Sequence, residues 1–203
     1  YRLVPKYPFP AAADDALIAY RWLTEGSAIT ASSGTVALAG DSAGGQIALS
    51  TAIALRAGGV VLPRTTLISP APDLSWSNPR IPTVQPTDPW LATPGGKVLA
   101  ERWRGELNLL DPAVSPLFGN FTGLGALTVF TGTRDVLNPD AHLLAEKAHG
   151  ADVPFELCEV AGQVHVYPLI PTRAGLDAQR HLIETLGSAI RSWTTSQDDA
   201  VTT

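Results

Sequence analysis

Short apolar runs alternate along most of the chain with longer stretches whose apolar positions recur at helical spacing. The runs at residues 35–39, 65–69, 126–131 and Phe155–Val160 are rich in Val, Leu, Thr and Phe and read as strands. Helical patterns lie between them. Residues 10–23 start at Pro10 and carry Ala16, Ala19, Tyr20 and Leu23 as one stripe. Ala43–Ala57 is a second helix, and a third opens with Asn138 as N-cap, Pro139 at its first position and Asp140 in its first turn. The last covers residues 175–193, with Leu182, Ile183, Leu186, Ile190 and Trp193 on one face, before a polar tail at 194–203 expected to fray. Strands alternating with helices predict an α/β fold: a mostly parallel sheet flanked by helices, with its reacting groups on loops at the carboxyl ends of the strands.

One stretch breaks the rhythm. Residues 70–94 hold prolines at 70, 72, 79, 82, 86, 89 and 94, out of 17 in the chain, which rules out regular structure over most of the span. It reads as an excursion over the carboxyl edge of the sheet, rejoined by a helix at residues 97–106. The opening also falls out of pattern, because residues 1–4 read as the tail of a strand and the chain contains no methionine. Only that tail precedes the run at 35–39, whereas a doubly wound sheet needs several strands before it. The expectation is one partial domain over residues 1–203, with earlier strands in a segment upstream.

Composition narrows the function. Net charge is −5 with no basic patch, which argues against nucleic acid and gives no support to an anionic membrane surface role. No stretch reaches the roughly 18 uninterrupted apolar residues of a membrane span. Charged residues make up only 16% of the chain, against about 25% in ordinary domains. Much of the surface is therefore expected to be buried internally or covered by something else, such as the upstream segment or a second copy of the chain. Cys158 is the single cysteine, has no partner for an internal disulfide, and reads as a small core residue. There is no C-x-x-C and no H-x-x-x-H, and the histidines are scattered, so no metal and no cofactor are expected. Targeting signals sit at N-termini, which leaves the compartment open, with the cytoplasm favoured.

The candidate chemistry begins where the apolar run at 36–39 ends in Gly40-Asp41-Ser42-Ala43-Gly44. A serine hydroxyl is a poor nucleophile unless a tight turn exposes it beside a base, and strand, elbow and helix supply that geometry. Ser42 is the candidate nucleophile. Gly40 and Gly44 are expected to be small because the elbow crowds the positions two residues either side. Gly45, Ala48 and Ala52 would let the helix lie close to the sheet. The Ala43 amide, at the positive end of that helix, is the natural oxyanion donor.

A triad on such a sheet follows in the order nucleophile, acid, histidine, each after a later strand. His165 lies in the loop after Phe155–Val160 and is the candidate base. His142, His149 and His181 fall on helices and read as surface or half-buried residues. Asp135, in the loop after residues 126–131, is the candidate acid. Asp140 is the nearest competitor and is better explained by its place at a helix start. Asp152 and Glu156 flank a strand but follow no strand end. Trp76, Trp90 and Trp103 lie in or beside the excursion; they either line an acyl or alcohol pocket or pack the excursion on the sheet.

The blocks YRLVPKYPFPAA, GDSAGG, LISPAPDLS, DPAVSPLF, GTRDVLNPDAHLLAE and GQVHVYPL, in this order, resemble the hormone-sensitive-lipase-like esterases, a bacterial branch of the α/β-hydrolase superfamily. The resemblance implies an α/β-hydrolase fold and hydrolysis of carboxylic esters with short to medium acyl chains, without a cofactor. It matches Ser42, Asp135 and His165 to nucleophile, acid and base. A binding protein that has lost catalysis, and a hydrolase of amides or formamides using the same triad, are the alternatives. Two departures stand out. Lys6-Tyr7 replaces the family's Glu-His, a change expected to touch packing or surface. The family's His-Gly-Gly-Gly motif, which donates the other oxyanion amides, would lie before residue 1, as would the cap helices. Losing one such donor costs on the order of a hundredfold or more in turnover, so the stretch alone is expected to be weakly active or inactive.

Overall fold

A computed structural model describes residues 1–26 and 36–201. Among these, four parallel strands form one sheet in chain order: β1 (Leu38–Asp41), β2 (Arg64–Ile68), β3 (Ala126–Gly132) and β4 (Phe155–Val160). The registers Leu38↔Thr65, Arg64↔Ala126 and Leu127↔Phe155 bring the four carboxyl ends to one edge. β2 and β3 are buried over nearly their whole length, as central strands of a covered parallel sheet must be.

Among the described residues six α-helices accompany the sheet: α1 (Ala11–Arg21), α2 (Ala43–Ala57), α3 (Ile81–Val84), α4 (Thr93–Trp103), α5 (Asn138–Gly150) and α6 (Arg173–Val201). Alternate residues of the strands feed two cores. Leu67, Leu127 and Val129 pack against Leu49 and Ala52 of α2 and Leu144 and Ala148 of α5. Ile68 and Phe130, one position on, pack against Ala178 and Leu182 of α6 and against Tyr167. The α/β expectation therefore holds, with helices on both faces.

The differences from the sequence reading are local. Residues 1–3 form no strand; the Arg2 backbone N–H and guanidinium both bond Asp15 of α1, which holds the opening segment against that helix instead. In α1 the buried residues are Ala11, Ala12 and Tyr20, with Ala16 half-buried, while Ala19 and, beyond the helix, Leu23 are exposed. The excursion is irregular apart from α3 and a single 3₁₀ turn at Gln85–Thr87. α4 starts at Thr93 with Pro94 in its first turn, earlier than the pattern suggested. Asn138 does not cap α5: its side-chain amide donates to Glu159 and Thr131 of the neighbouring strands, so the helix begins at Asn138 itself. α6 continues through the polar tail to Val201, where neither Gly nor Pro interrupts it. On that helix Leu182 packs on the sheet, but Ile183 is 68% exposed. Thr35, the expected first residue of β1, and the tail residues 202–203 lie outside the described residues, as does the side chain of Trp193. Among the described residues no helix is long and apolar enough to cross a membrane.

Candidate active site

The turn between β1 and α2 is strained in the way a nucleophile elbow requires. Ser42 sits at φ 52° and ψ −118°, a conformation that L-residues avoid. Its amide donates to Ile68 O at 2.9 Å, and its carbonyl accepts from Ala71 N at 3.2 Å, so the end of β2 clamps the elbow on both sides. A Cβ on Gly40 would lie 2.2 Å from Gly44 O, so only glycine fits there. Gly44 is different: the nearest atom to a Cβ at that position is Asp41 Oδ1 at 3.9 Å, so space does not demand glycine. Gly45 is again tight, 2.9 Å from Pro70 Cβ. Ala43 opens α2, and its amide is among the first four that a helix leaves unpaired within itself.

Asp135 and His165 meet as expected. His165 Nδ1 lies 3.0 Å from Asp135 Oδ2, with the carboxylate fully buried and the ring nearly so. Asp135 Oδ1 accepts the Leu137 amide at 2.9 Å, so each oxygen has a partner and the carboxylate cannot rotate freely. The two loops that carry the pair are tied together: Arg134 N donates to Gln163 O, and Gly162 N to Thr133 Oγ1, each at 2.9 Å. A Cβ on Gly132 would lie 2.3 Å from Gln163 O, which explains how closely these loops pass. Ser42 stands at the same sheet edge, in the loop after β1, with the end of β2 between it and the pair. Among the described residues its hydroxyl makes no hydrogen bond with the imidazole. The loops adjoin through Ser69, which directly follows Ile68 and whose hydroxyl accepts the Val166 amide at 2.9 Å.

The other histidines are accounted for elsewhere. His142 Nε2 pairs with Glu159 at 2.7 Å, His181 Nε2 with Glu156 at 2.8 Å, and His149 sets its ring edge against Phe155. Asp140 occupies the first turn of α5 as expected, yet it is fully buried. Its Oδ1 accepts Asn78 Nδ2 at 2.7 Å and, among the described residues, its Oδ2 has no partner. Burial pushes its carboxyl up to about 7, against the pull of Asn78 and with a further push from Asp73. Cys158 is half-buried, and desolvation with Glu156 pushes its thiol up to about 11. Lys6 and Tyr7 lie at the surface, with the ammonium 5.1 Å from the ring centroid.

Two residues that the sequence did not single out shape the site. Asp88 accepts the Val136 amide at 2.7 Å with one oxygen and the Trp90 and Leu91 amides with the other, which pins the excursion beside Asp135. Its Asp-Pro step signals a turn but not this distant bond. Gln46, one helical turn after Ser42, is buried and donates to Val114 O at 2.8 Å. A cavity of about 450 Å³ opens on Ser42, Ala43 and Gln46. Its walls are mainly apolar and include Trp76, Trp90 and Trp103, and Trp76 also packs against the buried group of Ala71, Ile81, Val136 and Leu137.

Residues 1–169 match the alpha/beta hydrolase fold family. An acetyl-hydrolase of Streptomyces hygroscopicus is 35% identical over 199 residues, which cover 96% of this chain and 64% of that protein. The esterase LipI of Mycobacterium tuberculosis is 33% identical over 175 residues, covering 82% of this chain and 53% of its own. The crystal structure of a hormone-sensitive lipase from a metagenome library superposes with a TM-score of 0.88 at 27% identity, over 94% of this chain and 64% of that one. The chain thus spans less than two thirds of the length of these proteins. Sheet, elbow and match agree: the chain belongs to the alpha/beta hydrolase fold family, among relatives named as esterases, lipases and acetyl-hydrolases.

Proposed function

We propose that the chain is the catalytic portion, in one domain, of a serine hydrolase that cleaves carboxylic esters of short to medium acyl length. The observation that carries this reading is the buried Asp135–His165 pair at 3.0 Å, on the same sheet edge as a serine held at φ 52°. The names of the relatives, which refer to ester and acetyl hydrolysis, support an ester substrate. So does the mainly apolar wall of the cavity, which suits an acyl chain.

Asp135 accepts the Nδ1 proton of His165 and so fixes the tautomer in which Nε2 is the base. Nε2 takes the hydroxyl proton of Ser42 as Oγ bonds to the ester carbonyl carbon. The imidazolium formed faces the Asp135 carboxylate, and its proton passes to the alkoxide oxygen as the C–O bond breaks and the alcohol leaves. Water, deprotonated by the same nitrogen, then attacks the acyl-enzyme, and the acid departs with Ser42 restored. The Ala43 amide and the N-terminal end of α2 face the negative oxygen that forms in each half.

The full-length protein is expected to hydrolyse a chromogenic short-chain ester, and Ser42→Ala to abolish turnover. A fluorophosphonate should add its mass to Ser42 alone. Absence of turnover in the full-length protein, together with labelling elsewhere or nowhere, overturns the reading.

A further inference from the structure

The spacing of Glu156, Cys158 and His181 fits no metal motif, yet the fold brings the three together. Residues 156 and 158 are two apart in β4, so they share the face covered by α6, from which His181 projects. One donor atom from each lies within 4.8 Å of the other two. We propose that these residues form a binding site for a soft divalent cation of the Zn²⁺ class, on the α6 side of the sheet and apart from the Ser42 cavity.

The donor set determines the class of ion. A thiolate and an imidazole select zinc or a similar transition ion over magnesium or calcium, which demand oxygen shells. Thiolate, carboxylate and neutral imidazole carry two negative charges, matching a divalent ion. Three protein donors leave one position of a tetrahedron for water or an external ligand. On binding, the thiol proton of Cys158 goes to solvent, and the neutral imidazole keeps its remaining proton on Nδ1 so that Nε2 can bond the metal.

The surroundings already orient the donors. Glu156 Oε1 and His181 Nε2 face each other at 2.8 Å. The other carboxylate oxygen, Oε2, is held by Thr128 at 3.4 Å and lies 3.8 Å from Arg64, so Oε1 is the oxygen presented to the site. The His181 ring stands edge-on to Phe130 at 6.0 Å, which fixes its plane, and Cys158 packs against the buried group around Phe130 and Tyr167. Outer contacts of this kind set ligand orientation in metal sites. All three residues are half-buried, open enough for an ion to enter and sheltered enough to hold it.

An ion here would bond α6 to β4, whose end leads into the His165 loop. It stabilises the folded chain without touching the reacting groups. Because Cys158 is the only cysteine in the chain, a thiolate-to-metal charge-transfer band can arise from no other residue. Titrating the purified protein with Co²⁺ is therefore expected to raise such a band in the near ultraviolet, and Zn²⁺ to bleach it. Zn²⁺ at a hundredfold excess over its Kd is expected to raise Tm by about 5–10 °C, while Mg²⁺ leaves it unchanged. Cys158→Ser should remove the band and His181→Gln should weaken it at least tenfold in Co²⁺ affinity, whereas Ser42→Ala keeps both band and shift. The wild-type spectrum carries the test even where a variant misfolds. No band in the wild type, a band that survives Cys158→Ser, or a Zn²⁺ shift without a Co²⁺ band overturns the proposal; the last would place the ion elsewhere, for example at His142 and Glu159. Ester hydrolysis is not measured in any arm, so the outcome is independent of the catalytic reading.

Discussion

Val166 donates its amide to the Ser69 hydroxyl across 2.9 Å, and both residues hold a left-handed backbone, at φ 48° and 45°. Ser69 follows the residue whose carbonyl anchors the Ser42 amide, and Val166 follows His165. One buried hydroxyl therefore couples the loop of the candidate base to the strand end that clamps the elbow. Ser69→Ala leaves a part-buried amide unpaired, at a cost of about 1–3 kcal/mol. It is expected to lower kcat for a short-chain ester at least tenfold while KM changes less than threefold, since the hydroxyl positions the imidazole and touches no substrate. Equal kcat in wild type and variant would remove Ser69 from this role.

Asp140 predicts an unusual pH dependence. Its folded carboxyl is raised to about 7 from an ordinary 3.8. Between those values the folded state holds a proton that the unfolded state has lost, so stability falls as pH rises through this window. At about 1.4 kcal/mol per unit the difference is on the order of a few kcal/mol. Asn at this position can still accept from Asn78 and carries no charge to bury. Asp140→Asn is therefore expected to raise Tm at pH 8 by several degrees and to flatten the profile between pH 4 and 7. A Tm profile that is already flat in the wild type contradicts this.

Elements whose signals lie within a few residues were readable before any coordinates. The bounds of Phe155–Val160 are legible in the sequence because its apolar run is bounded by Pro154 and by Gly162. Asp135 and His165 are candidates because each sits in the first loop after such a run, and the sheet's edge brings those loops together. What stayed hidden depends on partners far away in the chain. Asp140 looks like an ordinary helix-start residue until the excursion, through Asn78, covers it. Asn138 looks like a cap until Glu159 comes within 2.7 Å of its amide. Glu156, Cys158 and His181 converge only because α6 crosses β4, which no spacing announces.

The two glycines flanking the serine make a paired test of backbone crowding. A methyl on Gly40 meets Gly44 O at 2.2 Å, a backbone atom that cannot move without disturbing the elbow, whereas Gly44 has open space to 3.9 Å. Gly40→Ala is expected to cost 3 kcal/mol or more, about the upper end for overpacking, and to abolish ester turnover. Gly44→Ala should change stability by no more than about 1 kcal/mol. Urea unfolding of both variants decides the matter, and equal losses would refute the distinction.

Trp76 fixes the breadth of the cavity. Its ring lies so close to α4 that a Cβ on Gly96 would come within 1.9 Å of it, so glycine there seats the indole as part of the wall that also contains Leu91 and Trp103. Trp76→Ala removes that panel and lengthens the space open from Ser42. Burying one more methylene is worth about 0.8 kcal/mol, or about fourfold in kcat/KM for each one newly accommodated. In the full-length protein the ratio of kcat/KM for octanoate over butyrate esters is expected to rise more than tenfold in Trp76→Ala, with Tm lowered by the lost packing. Gly96→Ala, which displaces the ring without removing it, should lower Tm and should not favour octanoate. A chain-length profile unchanged in Trp76→Ala would mean that the acyl chain lies against another wall and that Trp76 serves only to seat the excursion on α4.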